Sequence, residues 1–219
     1  MRKKNSSYRL AILVGAAALV LCTPPARADG ADLTCSELCL SIQSVTANPN
    51  TTGNVFDVLL TNETGASVTI GGFIFEVTTA DTGITFTEAT TATTVDPYLF
   101  AGDSLLGPEI DVVSGGQTLE AADFSASGAG DAIGNGDTLG VGHIFFDVAN
   151  GAALGPATVS FDTTVTSLSD AAGNNLAYST TPGAITIQST TTVPEPATDG
   201  LCIFALAGFA FIALRRQAS

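Results

Sequence analysis

Few side chains in this sequence are equipped for chemistry. His143 is the only histidine among 219 residues. A hydrolytic triad would have to use it as the base for a nucleophile, yet no G-x-S-x-G elbow is present. It lies in the run Gly140-Val141-Gly142-His143-Ile144-Phe145-Phe146, where it reads as a structural or exposed strand residue. Paired carboxylates can hydrolyse glycosides, and 21 acidic residues make some close pairs inevitable. A sugar cleft also calls for aromatic platforms, and the chain has no Trp. Tyr98 and Phe100, just after Pro97, are the aromatic pair best placed to contact a ligand, with a partly buried hairpin as the plainer reading. These residues predict no enzyme.

Metal chemistry has one candidate. The glycine-rich loop 128–142 carries Asp131, Asn135 and Asp137, oxygen donors of the kind Ca²⁺ takes. Read as an EF-hand it would place Ile133 and Gly142 where oxygen ligands are required, and it is not a nonapeptide calcium repeat. The loop is read as a turn, with Ca²⁺ as the lesser alternative and no other cofactor. Cys35 and Cys39 can close a small disulfide loop in an exported chain, or stay as two thiols. A metal site would need further ligands, and none are nearby. Asn50 and Asn62 fit N-x-Thr sequons, which are read as incidental.

Charge narrows the partners. The basic residues are Arg2, Lys3, Lys4, Arg9, Arg27, Arg215 and Arg216, so Asp29 to Val193 holds no Lys or Arg. The same stretch contains all the acidic residues except Glu195 and Asp199. Nucleic acid and phosphorylated ligands are excluded, because phosphate binding rests on Lys and Arg. The carboxylates must be solvated, hydrogen-bonded or neutralised by cations.

The two ends carry addresses rather than chemistry. Residues 1–28 have the form of a secretory signal helix, with a basic start, an apolar run from Leu10 to Leu21 and small residues at Ala26 and Ala28. Cleavage is expected before Asp29. A lipoprotein cut before Cys22 is disfavoured by Leu21. At the other end, Val193-Pro194-Glu195-Pro196 leads into an apolar run from Leu201 to Leu214, closed by Arg215 and Arg216. As a helix that run is about 21 Å long, short of the roughly 30 Å hydrocarbon core. It suits transient insertion with the arginines reaching the cytoplasmic side. Pro194-Glu195-Pro196, the apolar run and Arg215-Arg216, in that order, resemble the PEP-CTERM sorting signal of Gram-negative bacteria. The resemblance implies passage through the export machinery and processing by an exosortase, a membrane cysteine protease. It further implies residence in the cell envelope, at the outer surface or in an exopolysaccharide matrix. A simple C-terminal anchor is the plainer alternative.

The middle of the chain reads as strands. Short β-branched and aromatic runs are broken by Gly, Asn, Asp and Pro. They predict strands at 40–45, 55–61, 68–78, 84–88, 118–124, 139–148, 158–165 and 184–188. Ile144, Phe146 and Val148 share one face, leaving His143, Phe145 and Asp147 on the other. In 68–78, Val68 and Ile70 differ in parity from Phe73, Phe75 and Val77, so a β-bulge is expected at Gly71-Gly72. Roughly eight such strands predict an all-β antiparallel β-sandwich.

The blocks Phe56 to Asn62, Ile70 to Phe75, Leu139 to Val148, Val159 to Phe161 and Leu168 to Asn174 are similar to a cohesin-like β-sandwich. That is a jelly roll related to carbohydrate-binding modules. The division expected is 1–28 signal peptide, 29–39 lead-in, 40–188 sandwich, 189–196 linker and 197–219 hydrophobic sorting helix. The resemblance implies a non-catalytic module for adhesion or contact with an unknown surface protein or polysaccharide. The other reading is a carbohydrate-binding module, with or without Ca²⁺.

Overall fold

The computed structural model describes residues 37–107, 110–114 and 116–189. The chain divides into two units, Met1–Thr34 and Cys35–Ser219, and all described residues belong to the second. They form fourteen strands and no helix. The signal segment and the sorting tail lie outside the described residues.

One sheet has the order β13-β1-β3-β10-β6. These strands are β1 (Leu38–Ile42), β3 (Thr51–Asn62), β6 (Ile84–Thr90), β10 (Thr138–Val148) and β13 (Tyr178–Thr181). The second has the order β2-β14-β11-β5-β8-β7, with β12 beside β5. It comprises β2 (Val45–Ala47), β5 (Gly72–Thr79), β7 (Asp111–Ser114), β8 (Thr118–Phe124), β11 (Gly155–Phe161), β12 (Ser167–Ser169) and β14 (Gly183–Ile187). A small third ladder joins β4 (Val68–Ile70) to β9 (Asp131–Ile133). All pairings are antiparallel except β1 with β13 and β14 with β2. The architecture is the expected β-sandwich.

Alternation builds the core. Phe56, Val58 and Leu60 of β3 face inward with Ile144, Phe146 and Val148 of β10, as do Phe73, Phe75 and Val77 of β5. Phe56, Phe73, Phe75, Phe86, Phe100 and Phe146 are fully buried. Each such side chain contributes on the order of 1.5–3 kcal/mol relative to exposure. Phe73 stacks on Phe75 and on Phe100, with ring centroids 5.8 Å apart in both pairs.

Three local expectations are corrected. The parity change in 68–78 is a strand break, not a bulge. Val68–Ile70 leaves to pair with β9, and β5 begins at Gly72. Gly71 lies between them where the chain at Asp170 passes, and a Cβ there would stand 2.3 Å from the Asp170 carbonyl oxygen. The strand expected over 40–45 is likewise split, because β1 pairs in the first sheet and β2 in the second. The strand expected to reach Val165 stops at Phe161. Asp162 Oδ1 accepts from the Thr164 N–H and hydroxyl, turning the chain. A bulge does occur in β10, between Gly140 and Gly142.

Candidate functional site

The connection from β6 to β7 is the longest between these strands, and two buried carboxylates hold it, one from each sheet. Asp57 and His143 sit directly opposite one another on β3 and β10. Both point away from the core, yet both are buried, because residues 93–95 lie over them. Asp57 Oδ1 meets His143 Nδ1 at 2.5 Å. Its Oδ2 accepts from the backbone N–H of Thr94 and of Val95, each at 2.7 Å, and from the Thr94 hydroxyl. The His143 ring also meets Phe145 edge-on at 5.1 Å. This geometry gives His143 a positioning task.

Beyond this pair the connection meets β10 of the first sheet. Leu99 N–H donates to the Gly140 carbonyl and Gly140 N–H to that of Pro97, both at 2.8 Å. A Cβ on Gly140 would be 2.5 Å from Thr93 Cγ2, so the crossing requires glycine there.

Asp123 anchors the second half. It lies on β8 in the same parity as Leu119 and Ala121, a core-facing position, and is fully buried. Oδ2 accepts from the Tyr98 hydroxyl at 2.7 Å and from the Ser104 hydroxyl at 2.6 Å. Oδ1 accepts from the Leu106 and Phe124 N–H groups. Burial, then Asp123, push the Tyr98 phenol well above its ordinary value. Tyr98 and Phe100 are therefore buried rather than presented to solvent, at 7% and 0% exposure. Their edges border a recess of about 410 Å³ that also involves Ala101, Gly102 and Ser104.

The three side chains proposed for Ca²⁺ sit in different settings. Asn135 Oδ1 accepts from the Gly65 N–H at 2.7 Å, and the Asp137 carboxylate lies over Gly134. Asp131, on β9, has one buried oxygen, Oδ2, without a hydrogen-bond partner. Burial, then Asp103, raise its affinity for a proton. Among the described residues no three of His, Cys, Asp and Glu come together as metal ligands. Cys39 is buried and disulfide-bonded. Cys35 lies outside the described residues, so their pairing remains our proposal. Pro194, Glu195, Pro196, Arg215, Arg216, Ala26, Ala28 and Asp29 also lie outside them.

Sequence reasoning missed Asp57 and Asp123. An available signal was an acid at a core parity position in β8. A second was an acid and the lone histidine on the outer face of strands that pair.

On the outer face of the second sheet, Glu76 and Glu120 are directly opposed. Burial first, then Asp162 and Glu120, raise the Glu76 carboxyl above its ordinary value. With no Lys or Arg between Asp29 and Val193, like charges meet there without a cationic neighbour from this stretch.

Comparison with known proteins agrees with both ends of this description. Residues 192–217 match the PEP-CTERM protein-sorting motif. A search of curated proteins finds no match. Among solved structures, the chain is similar to the sixth cohesin of scaffoldin B from Acetivibrio cellulolyticus, solved with a dockerin. The identity is 18% and the TM-score 0.53, over 69% of this chain and 99% of that one. It is also similar to the seventh type I cohesin of ScaB from Pseudobacteroides cellulosolvens, with 16% identity and a TM-score of 0.53, over 73% and 97%. A third is the non-cellulosomal cohesin of the archaeon Archaeoglobus fulgidus, with 14% identity and a TM-score of 0.52, over 71% and 94%. At these identities the likeness is one of fold. The chain thus joins a cohesin-like β-sandwich to a C-terminal PEP-CTERM protein-sorting motif.

Proposed function

We propose that this is an exported, non-catalytic surface protein. It is sorted through its C-terminal tail, where an exosortase processes it, and it acts by protein–protein contact in the cell envelope or extracellular matrix of a Gram-negative bacterium. The sorting motif at 192–217 carries the reading. An acidic body without Lys or Arg between Asp29 and Val193 supports it, since such a surface stays soluble outside the cell. The cohesin-like fold supports a binding module, because the solved relatives named above include one in complex with a dockerin.

In this reading, the signal peptide is removed before Asp29, Leu201 to Leu214 enters the membrane transiently, and Pro194-Glu195-Pro196 marks the place of processing. The test is to replace Pro194, Glu195 and Pro196 together by alanine and follow the protein by fractionation. Retention in the membrane fraction, with loss from the surface or matrix, supports sorting through the tail. Unchanged distribution overturns it.

A further inference from the structure

Large apolar side chains left in water among the described residues are Val95, Leu105, Leu106, Phe124 and Leu154. Two of them oppose one another, and Leu106 follows Leu105 in the chain. Ser104 and Ser125 bridge the chain antiparallel, which sets Leu105 opposite Phe124, and Leu105 N–H donates to the Phe124 carbonyl at 2.8 Å. Leu106 N–H is held by Asp123 Oδ1. Phe124 lies against Gly72 of β5, where a Cβ would be 2.4 Å from the ring. The ring thus covers a glycine, which accounts for one of its faces. Leu105 and Leu106 are 58% and 40% exposed. Their backbone is nevertheless fixed, because buried Asp123 holds Tyr98, Ser104 and Leu106 together. An apolar patch on a backbone already ordered loses little freedom when something binds it.

Charge decides what fits. Asp103 is the neighbour of Ser104, and its carboxylate caps Ser125 and Ser127 beside Phe124. Asp131 is close enough for Asp103 to raise its proton affinity. Glu120 lies four residues before Phe124 on the same strand face. No Lys or Arg between Asp29 and Val193 can neutralise them. A second copy would bring the same acids against this rim, and like charges juxtaposed across an interface are repelled. Nucleic acid is excluded on the same ground.

We propose that Leu105, Leu106 and Phe124 form a docking patch for a protein segment that places an apolar side chain on them. The segment sets a Lys or Arg beside Asp103. This rests on the protein-contact reading above and assigns that reading a surface and a partner chemistry.

The experiment uses the protein purified from culture as exported. Its probes are short peptides with one Leu or Phe flanked by Lys or Arg, and a matched set flanked by Glu, with binding read by fluorescence anisotropy. The basic set should bind, and binding should weaken with salt. Leu105→Ser and Leu106→Ser should each weaken it by about tenfold or more, as loss of a central apolar anchor does. Asp103→Asn should weaken the basic set alone. Leu154→Ser, an exposed control, should leave binding unchanged. Phe124→Ser is not relied on, because it also uncovers Gly72. Equal binding of the Glu-flanked set, no binding of either set, or indifference to Leu105→Ser and Leu106→Ser would overturn the proposal. Cross-linking in intact cells separates the two levels. A native protein partner cross-linked elsewhere on the body removes this patch but keeps protein contact. If cross-linking yields no protein partner while a purified glycan binds, both fall.

Discussion

Asp57 and His143 face one another across the β3–β10 ladder with 2.5 Å between Oδ1 and Nδ1. The same carboxylate holds the chain that covers them, at Thr94 and Val95. The only histidine in the protein is thus part of a clamp that fixes the connection leading to Leu105 and Leu106.

Breaking this clamp from either side should be costly. Asp57→Ala leaves His143 Nδ1 and two backbone N–H groups buried without their partner. The expected loss is about 3 kcal/mol or more, since each buried polar group left unpaired costs about 1–3 kcal/mol. His143→Ala removes one partner but leaves the three on Oδ2 in place, so its loss should be smaller. Urea unfolding of the two variants gives the order directly; a larger loss for His143→Ala would contradict it.

Tyr98 should behave as a structural residue. Tyr98→Phe keeps the ring against Phe73 and Phe100 and removes one donor to buried Asp123. A loss of about 1.5–3 kcal/mol is expected, as for hydrogen bonds to charged groups. Thermal unfolding measures it. Unchanged stability together with lost binding to a glycan would instead make Tyr98 a ligand residue.

The opposed acids on the second sheet make a prediction of unusual sign. Glu76→Gln relieves repulsion from Glu120 and Asp162 and should stabilise the fold by about 0.5 kcal/mol, within the range of cross-strand pairs. Added salt should also stabilise the wild type, and the gain should shrink in Glu76→Gln. A destabilised Glu76→Gln would show that the carboxylate is used.

The pH response follows from opposing shifts. Hydrogen bonds from Ser125 and Ser127 hold Asp103 below its ordinary value, those from Thr164 lower Asp162, and those from Asn174 lower Asp170. Their contribution is present above the ordinary carboxylate value and is lost as pH falls through their lowered ones. Glu76 and Asp131 are raised, so they favour the fold at low pH and lose that contribution as pH rises through their raised values. Calorimetry of Asp103→Asn and Glu76→Gln should therefore change the acid limb in opposite directions. A parallel change would contradict the assignment.

The sandwich was legible because its strands alternate cleanly, as in Ile144, Phe146 and Val148. The PEP-CTERM motif was legible because Pro194-Glu195-Pro196, an apolar run and two arginines occur in fixed order. Short strands were not. β9 and β12 are three residues long, too short for a period; β12 lies along the longer β5, and β9 pairs with the equally short β4. The break at Gly71 was visible as a parity change, but choosing between bulge and break required knowing that Asp170 passes close by. Tyr98 and Phe100 looked available because they follow Pro97; the partner that buries Tyr98, Asp123, lies far along the chain.

The central claim is sorting through the tail, and intact mass tests it most directly. Protein recovered from the medium or matrix, and separately from membranes, should be weighed. The account predicts that the matrix form begins at Asp29 and ends near Pro194. A chain that still carries Leu201 to Arg216 and is found only in the membrane fraction would contradict it, and the protein would then be an anchored receptor.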